Sequence, residues 1–329
     1  MKLSMSACKQ AVQPLVNFQV GLNMEPFFRR KDKVVFVMGA TGTGKSRLAI
    51  DLATRFPAEI VNSDKIQVYK GLEIVTNKVT EEECNGVPHH LLGTIDPNSN
   101  FTATDFRNKA SLATESIVAR ECLPIIAGGS NSYIEALVND DPDFRFRYEC
   151  CFLWVDVSLP VLHSFVSERV DRMVELGLVE EVKSIFDPQA DYSKGIRRAI
   201  GVPELDQFLR DESILDDETR IKYLQAAIAK IKDNTCSLAC RQLQKIRRLY
   251  NQWNWNMHRI DATEVFLKRG AEADHAWDEV VRRTSAMIVE KFLHDEDRMT
   301  TIVSPGTAPT STLISTPPMP IAAVAAATR

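Results

Sequence analysis

The residues of this chain that point most directly to chemistry lie at positions 39–46, where the sequence is GATGTGKS. This stretch fits the pattern G-x-x-x-x-G-K-[ST] of a phosphate-binding loop. It lies between an apolar segment at 34–38 and an amphipathic segment at 45–56. Glycine lets the backbone turn tightly and direct N–H groups inward, and the following helix presents its positive dipole end to the same point. The sequence therefore predicts that the chain binds a phosphorylated ligand.

Within this loop, we expect backbone N–H groups to hold phosphate oxygens while two side chains add charge and metal affinity. The Lys45 ammonium is expected to contact the phosphates, and the Ser46 hydroxyl to ligate Mg²⁺. The predicted ligand-binding residues of the loop are Gly39, Ala40, Thr41, Gly42, Thr43, Gly44, Lys45 and Ser46.

Two further polar positions follow predicted strands. Asp64 comes shortly after a short predicted strand at 59–61, and Ser130 follows two glycines and an apolar segment at 123–127. Ligands of open parallel sheets lie beyond the carboxyl ends of the strands, so both residues are expected on the side of the loop. Asp64 is a candidate magnesium ligand through water, a sugar ligand, a general base or a helix cap. Ser130 is a candidate ligand hydroxyl or the N-cap of a helix at 132–138.

These positions need a scaffold in which strands and helices alternate. Further strands are predicted at 90–95 and 151–157, and helices at 102–121 and 160–186. This alternation is typical of an α/β protein with a P-loop NTPase-like parallel sheet flanked by helices. Beyond about residue 195 the strand patterns nearly disappear, which predicts a smaller helical subdomain.

The pattern divides the chain into five segments. They are a transit or disordered segment at 1–31, a P-loop α/β core at 32–187, a helical subdomain with its return to the core at 188–250, closing helices at 251–299, and a disordered proline-rich tail at 300–329. Residues 1–31 contain basic residues, a single acid and no long apolar core, which suits import into a chloroplast. A disordered N-terminus of a cytoplasmic protein is the alternative.

Composition narrows the classes of partner. No apolar run approaches the roughly 20 residues that a membrane helix needs, so no membrane partner is expected. The net charge is −4, and an acidic body disfavours a long nucleic-acid footprint, although it does not disfavour small nucleotides. The seven cysteines are odd in number and scattered, which favours reduced thiols. We expect a monomer that acts on small molecules.

A helix predicted at 219–250 carries an apolar stripe with four basic residues beside it. These are Lys230, Arg241, Lys245 and Arg248. If this flank faces the loop, it can neutralise a diphosphate; otherwise it is a solvated surface. His89 and His90 have no metal-ligand partner at suitable spacing, so a structural role is predicted for both. The tryptophans are predicted to pack in the core: Trp154, Trp253, Trp255 and Trp277.

Seven segments of the chain occur in the order found in isopentenyltransferases. They are GATGTGKS at 39–46, NSDKIQVYKGLEI at 62–74, VPHHLLGTIDP at 87–97, TDFR at 104–107, LPIIAGGSNSY at 123–133, RAIGVPEL at 198–205 and NTCSLACRQ at 234–242. The chain resembles this family over about residues 36–250. The family includes transfer RNA dimethylallyltransferases, which carry KRQ where this chain has CRQ, and adenylate isopentenyltransferases that make cytokinins. No cysteine follows Cys240, so the C-terminal zinc finger common in eukaryotic transfer RNA enzymes is not expected, and the free-nucleotide branch is favoured.

The resemblance implies transfer of a dimethylallyl group from dimethylallyl diphosphate to the N6 amine of ATP, ADP or AMP, the first step of cytokinin biosynthesis. It assigns the diphosphate to the loop, with Mg²⁺ as cofactor. Asp64 matches the general base of the family, Lys45 and Thr43 match its catalytic residues in the loop, and Ser130 matches its Gly-Gly-Thr/Ser position. Further diphosphate contacts carried over from the family are Arg145 or Arg147, and Lys232 or Arg241.

Other activities are weighed against this one. A transfer RNA dimethylallyltransferase would need a basic surface and a zinc module. A small-molecule kinase would hold ATP in the loop and would need an acceptor site and an arginine-rich lid. A nucleotide switch would need a guanine-reading N-K-x-D stretch, which the sequence lacks.

Overall fold

The computed structural model describes residues 31–253, 255 and 257–294. The predictions made for residues 1–30 and for the tail at 300–329 therefore lie outside the described residues. Among the helices of the described part, none combines the length and the apolar character that a membrane crossing requires.

Six parallel strands form one sheet in the order β3-β2-β4-β1-β5-β6. They are β1 (Asp32–Gly39), β2 (Ala58–Asn62), β3 (His89–His90), β4 (Leu123–Ala127), β5 (Tyr148–Asp156) and β6 (Met257–Asp261). The central strand β1 is apolar on both faces because helices cover both sides of a parallel sheet. Its register places Gly39 opposite Val155 of β5. This architecture confirms the predicted α/β fold with a P-loop-like sheet.

The helices form two layers, one on each face of the sheet. They are α1 (Lys45–Arg55), α2 (Ala103–Val118), α3 (Asn131–Asn139), α4 (Pro142–Arg147), α5 (Leu159–Glu175), α6 (Leu178–Ser184), α7 (Val202–Asp211), α8 (Asp217–Trp253), α9 (Thr263–Leu267), α10 (Gly270–Ala276) and α11 (Thr284–His294). A 3₁₀ turn covers Gly195–Arg198, and a π-helix covers Trp277–Arg283. Phe36 of β1 belongs to the apolar cluster with α2, α3 and α7, while Val37 belongs to the cluster with α1 and α11.

Three predicted elements differ from the observed ones. The strand predicted at 90–95 ends at His90, because Leu91 adopts a φ of 59° that leaves the extended region. The helix predicted at 160–186 is divided into α5 and α6 at Gly177, which has a φ of 101°. The segment at 251–299 was predicted to hold only closing helices, but it also contributes β6, whose short alternating pattern is a weak strand signal.

The region predicted as a helical subdomain contains α7 and most of α8. Leu205 of α7 and Ile231 of α8 belong to the same apolar cluster as Phe36 of β1. Within the described residues, packing thus joins this region to the sheet, and the division into separate domains stays a prediction.

Candidate active site

A cavity of about 1070 Å³ lies at the carboxyl edge of the sheet beside the phosphate loop. It is lined by Thr41, Gly44, Lys45 and Ser46 of this loop and by Asp64 after β2. Apolar side chains line another part of it: Ile66, Val75, Val170, Met173, Ile200 and Ile231. The parallel strands explain this convergence, because β1, β2 and β4 all end at the same edge.

The loop between β1 and α1 is held by hydrogen bonds among its own residues. The Thr43 hydroxyl donates to the Ala40 carbonyl oxygen at 3.0 Å, and the Lys45 ammonium donates to the same oxygen at 2.7 Å. Gly44 has a φ of 85°, a left-handed conformation that glycine adopts without steric cost, and it directly precedes α1. The loop therefore has a defined shape that directs Lys45 to the cavity.

Thr43 is held inside the phosphate loop. Its side chain is buried and does not line the cavity, because its hydroxyl is engaged with Ala40 inside the loop. Gly39 lies beneath Thr43 and likewise does not line the cavity. The Thr43 hydroxyl thus helps to hold the shape of the loop, and its contact with a diphosphate stays a prediction.

The electrostatic environment of Lys45 suits an anionic ligand. Burial lowers the pKa of Lys45 to about 8, the nearby Asp64 carboxylate acts in the opposite direction, and the Arg169 guanidinium lowers it further. A buried ammonium beside another cation gains from a neighbouring anion. The pair of cations thus favours binding of a phosphate group here.

Asp64 lines the cavity, and backbone N–H groups of the residues that follow it hold one of its two carboxylate oxygens. The Oδ1 atom accepts hydrogen bonds from the backbone N–H groups of Ile66 at 2.9 Å and Gln67 at 3.3 Å. No described residue donates a hydrogen bond to Oδ2. The carboxylate is therefore fixed in orientation and retains an acceptor atom for a substrate proton.

Ser130 holds the loop that carries Asp64. Its hydroxyl oxygen accepts a hydrogen bond from the Lys65 backbone N–H at 2.8 Å, and the residue is buried and does not line the cavity. It precedes α3 without a side-chain cap bond. Ser130 thus positions the backbone next to Asp64, and its contact with a ligand stays a prediction.

Two side chains that the sequence analysis did not select for this site contact the phosphate loop. The Gln242 amide oxygen accepts a hydrogen bond from the Thr41 backbone N–H at 2.7 Å, while its amide nitrogen donates to the Gly129 carbonyl oxygen at 2.9 Å. The Arg169 guanidinium donates to the Thr41 hydroxyl at 3.0 Å. Gln242 lies in a segment that carries the family resemblance, whereas Arg169 lies on α5, where an amphipathic pattern gives no signal of function.

Arg169 is a half-buried cation at the cavity that forms no ion pair with another described residue. Its Nε atom is buried and makes no hydrogen bond, and no carboxylate of the described residues lies within ion-pair distance. Burial lowers the pKa of Arg169 to about 10, and Arg172 lowers it further. A partly buried charge without a partner is stabilised by a nearby anion, so this guanidinium is suited to an anionic ligand at the loop.

The predicted basic residues divide into those at the cavity and those elsewhere. Arg145 and Arg147 precede β5 at the opposite edge of the sheet, and Arg147 pairs with Glu115, so neither reaches the cavity. Lys232 pairs with Asp171 at 2.6 Å and does not line the cavity. These three predicted diphosphate contacts are therefore not supported.

Arg241 is the predicted basic residue of α8 that does line the cavity. It is exposed, and no described residue pairs with its guanidinium. Lys245 and Arg248, which share its flank in the sequence, both pair with Glu135, and Lys230 is exposed to solvent. The basic flank of α8 thus divides: Lys245 and Arg248 pair with Glu135, whereas Arg241 faces the cavity and is available to a ligand.

His89, His90 and three of the four tryptophans have the predicted structural roles, whereas the side chain of Trp253 lies outside the described part of the chain. His90 Nε2 lies 2.6 Å from a Glu59 carboxylate oxygen, and His89 Nδ1 lies 2.8 Å from the Val87 carbonyl oxygen. The side chains of Trp154, Trp255 and Trp277 are buried.

The residues present fit a magnesium ion that is held mainly by its substrate. Ser46 is exposed at the cavity. In the described part of the chain, no group of three or more His, Cys, Asp or Glu side chains is arranged to hold a metal ion. Mg²⁺ usually keeps several water molecules and binds through few protein ligands together with substrate phosphates. A single hydroxyl beside the phosphate loop matches that donor set.

The parallel sheet, the phosphate loop and the adjacent carboxylate define this molecule as an α/β protein with a P-loop-type phosphate site. The chain belongs to the IPP transferase family, whose model matches residues 67–145 and 139–249. A solved structure of a eukaryotic dimethylallyltransferase acting on tRNA has the same fold, with a TM-score of 0.67 and 24% identity over 80% of each chain.

Two plant relatives cover nearly the whole chain. It is 72% identical to adenylate isopentenyltransferase 5, chloroplastic, from Arabidopsis thaliana, over 90% of this chain and 91% of the relative. It is 59% identical to adenylate isopentenyltransferase 7, mitochondrial, from the same plant, over 91% and 92%. These similarities confirm the predicted family and the predicted class of enzyme, a transferase of isopentenyl groups.

Proposed function

We propose that this enzyme transfers a dimethylallyl group from dimethylallyl diphosphate to the N6 amine of a free adenine nucleotide, as a first step of cytokinin synthesis. The observation that carries the proposal is the position of Asp64 and Lys45 on one cavity that also has an apolar part. The names of the plant relatives, which are adenylate isopentenyltransferases, support the same substrates.

The donor fits the loop side of the cavity. We assign its diphosphate to the backbone N–H groups of the loop and to the charges of Lys45 and Arg169. The apolar side chains around Val170 and Met173 suit the five-carbon chain. Ser46 would hold Mg²⁺, which when bound neutralises part of the charge on the leaving group.

The acceptor fits the side of Asp64. The N6 lone pair attacks C1 of the prenyl chain, the bond from C1 to the diphosphate oxygen breaks, and pyrophosphate leaves with the electron pair. Asp64 Oδ2 takes the proton that N6 loses, while the bonds from Ile66 and Gln67 to Oδ1 keep the carboxylate in place. General-base assistance of this kind contributes roughly 10² to 10⁴ in rate.

Arg241 is suited to the phosphates of the acceptor. It is exposed at the cavity and has no pairing partner among the described residues. A guanidinium there adds affinity for the phosphates of a free nucleotide, and it can bind ATP, ADP or AMP alike.

The proposal is tested by incubating the protein with Mg²⁺, dimethylallyl diphosphate and either ATP, ADP, AMP or transfer RNA, followed by mass analysis. We expect a pentenyl mass increment on a free nucleotide. An increment on transfer RNA alone would contradict the assignment of the acceptor, and loss of the γ-phosphate without prenyl transfer would indicate a kinase.

The base is tested with Asp64→Asn, which keeps the size of the side chain and removes its basicity. We expect kcat to fall roughly 10² to 10⁴-fold while pyrophosphate binding is retained. Asp96→Asn is the matched control, because Asp96 is exposed and does not line the cavity. Turnover by Asp64→Asn within a few-fold of the wild-type rate would remove Asp64 as the base.

We further propose that the chain is imported into plastids. The basic character of residues 1–30 and the chloroplastic name of one relative support this location, and the mitochondrial name of the other defines the alternative. A fusion of residues 1–33 to a fluorescent reporter should enter plastids in plant cells. A signal in mitochondria or a diffuse cytosolic signal would contradict the proposal.

A further inference from the structure

The indole of Trp277 lies directly against the phosphate loop. A Cβ atom placed on Gly44 would lie 2.5 Å from Trp277 Cη2 and 2.6 Å from Cζ3, so the ring packs on the bare α-carbon of the last loop glycine. Trp277 is 3% exposed and lines the cavity. Lys45 and Ser46 follow Gly44 immediately, so the contact is made at the point where the loop becomes α1.

Two polar contacts fix the orientation of this ring. The indole Nε1–H donates to Asp51 Oδ2 at 2.7 Å, and Asp51 lies on α1 about two turns after the loop. The Arg47 guanidinium lies over the ring, 4.7 Å from its centroid. The edge of the Trp277 ring thus packs against the loop, and its Nε1–H group bonds to α1. One rigid side chain therefore contacts both the loop and α1.

Trp277 comes from a part of the chain outside the segment matched by the family model, which ends at residue 249. It begins the π-helix Trp277–Arg283, between α10 and α11. π-Helices are rare and are found frequently at functional sites. The ring reaches the loop from the C-terminal closing helices, whereas the hydrogen bonds from Arg169 and Gln242 to the loop come from α5 and α8.

We infer that Trp277 is a positioning residue that braces the phosphate loop in its diphosphate-binding shape, so that the closing helices form part of the active site. The brace rests on the proposed role of the loop as the diphosphate site. Loss of the ring leaves a space beside Gly44 and lets the loop sample other shapes, which weakens binding of the diphosphate.

The brace is tested by titrating Mg²⁺-pyrophosphate into the full chain by calorimetry. We expect Trp277→Leu to weaken pyrophosphate binding about tenfold, and Trp277→Phe, which keeps an aromatic ring and loses the N–H, to weaken it about threefold. The double variant Trp277→Phe/Asp51→Ala should bind pyrophosphate no more weakly than Trp277→Phe alone, because both changes remove the same hydrogen bond and the lost Asp51 carboxylate does not attract an anion.

Phe292→Leu is the matched structural control. Phe292 packs on the same apolar cluster from α11 and does not line the cavity, so this variant should lower thermal stability without weakening pyrophosphate binding. Wild-type pyrophosphate affinity in Trp277→Leu, or additive effects of Trp277→Phe and Asp51→Ala, would overturn the brace.

The outcome for the brace is separable from that of the proposed reaction. Pyrophosphate affinity reports on the loop whether or not a prenyl group is transferred. If the wild-type protein binds pyrophosphate and forms no prenylated nucleotide, the proposed function fails while the variant series still tests the brace. In active protein, Trp277→Phe should raise KM for the prenyl donor and leave KM for the nucleotide unchanged.

Discussion

At the scale of single residues, Lys45 and Asp64 carry opposite charges and line the same cavity, and the proposed reaction gives each a different task. Burial and Arg169 weaken the hold of Lys45 on its proton, which makes an incoming diphosphate a favourable partner. Backbone N–H groups fix one oxygen of Asp64, which leaves the other for a proton from substrate. The two groups are thus suited to the leaving group and to the nucleophile, respectively.

The lowered pKa of Lys45 predicts proton uptake on binding. Above about pH 8 the folded protein loses this proton, while an unfolded chain keeps it up to about pH 10.5. Stability should therefore rise with pH in this window, as the cost of burying the ammonium is removed. A bound diphosphate should raise the pKa again, so pyrophosphate binding near about pH 8.5 should take up protons.

This proton uptake is measured by calorimetry in buffers of different ionisation enthalpy. Lys45→Arg is the control, because a guanidinium stays charged in this range. We expect the wild type to take up more protons than the variant. Equal uptake by the two proteins would contradict a low pKa at Lys45.

Arg169 supplies a second residue-scale prediction. Arg169→Lys keeps the charge but replaces the planar guanidinium that reaches Thr41, so we expect KM for the prenyl donor to rise about tenfold with little change in KM for the nucleotide. Arg172→Lys is the control, since Arg172 lies one turn further along α5, is exposed and does not line the cavity. Similar donor KM values for wild type and Arg169→Lys would exclude a contact between this guanidinium and the diphosphate.

At the scale of elements, the position of Asp64 depends on how β2 and its neighbours are joined. Glu59 of β2 accepts hydrogen bonds from Arg120 Nε at 2.9 Å and Nη2 at 2.7 Å, and it also contacts His90 of β3. One carboxylate thus connects the central part of the sheet, its β3 edge and the turn after α2. The hydrogen bonds from Arg120 lower the pKa of Glu59 most strongly, burial opposes them, and His90 assists.

This cluster predicts a pH-dependent contribution to stability. Because the folded-state pKa of Glu59 is lowered, its contribution is present above the ordinary value of 4.5 and is lost as pH falls through the lowered value. Glu59→Gln should reduce the free energy of unfolding at neutral pH by about 1 to 3 kcal/mol, and the difference from wild type should shrink below about pH 4.5. Denaturant unfolding at several pH values measures this.

The neighbouring Glu121→Gln is the control for Glu59→Gln. Glu121 is exposed and makes no side-chain hydrogen bond or ion pair within the described residues, so its variant should unfold like the wild type at every pH. A constant difference between Glu59→Gln and wild type down to acid pH would show that the charge of Glu59 is not the source of its contribution.

At the scale of the whole molecule, both faces of the sheet are covered by helices that also line the cavity. Arg169 and Gln242 come from α5 and α8, whereas Trp277 comes from the closing segment. Phe36 and Val37 are neighbours on β1 but belong to different apolar clusters. The helix layers on the two faces of the sheet are therefore joined through this strand. The described residues should therefore unfold together.

Leu205→Ala tests this cooperativity. Leu205 lies on α7, in the region predicted as a helical subdomain, and is fully buried in the cluster of Phe36. We expect a loss of about 2 to 5 kcal/mol that shifts one unfolding transition, as followed by calorimetry and circular dichroism. Leu176→Ala, at a position that is 71% exposed, should leave the transition in place. A second, separate transition in Leu205→Ala would indicate an independently folding subdomain.

The sequence by itself determined the phosphate loop, the parallel α/β sheet and the base candidate. GATGTGKS is a local motif whose glycines, lysine and following helix specify one backbone shape, and Asp64 follows a strand whose end must lie at the same edge. The spacing of apolar residues predicted most strands and helices, because that spacing also depends only on residues close together in the sequence. The pattern of residues 62–74 and 87–97 determined the family.

Only the tertiary structure decided which distant side chains complete the site. It assigned Arg169, Gln242 and Trp277 to the loop, while Arg147 and Lys232 pair with carboxylates elsewhere. A basic side chain has the same appearance in a sequence whether it meets a substrate or an acidic neighbour. Its partner depends on how helices pack across the sheet, and that packing is a long-range property that local spacing does not encode.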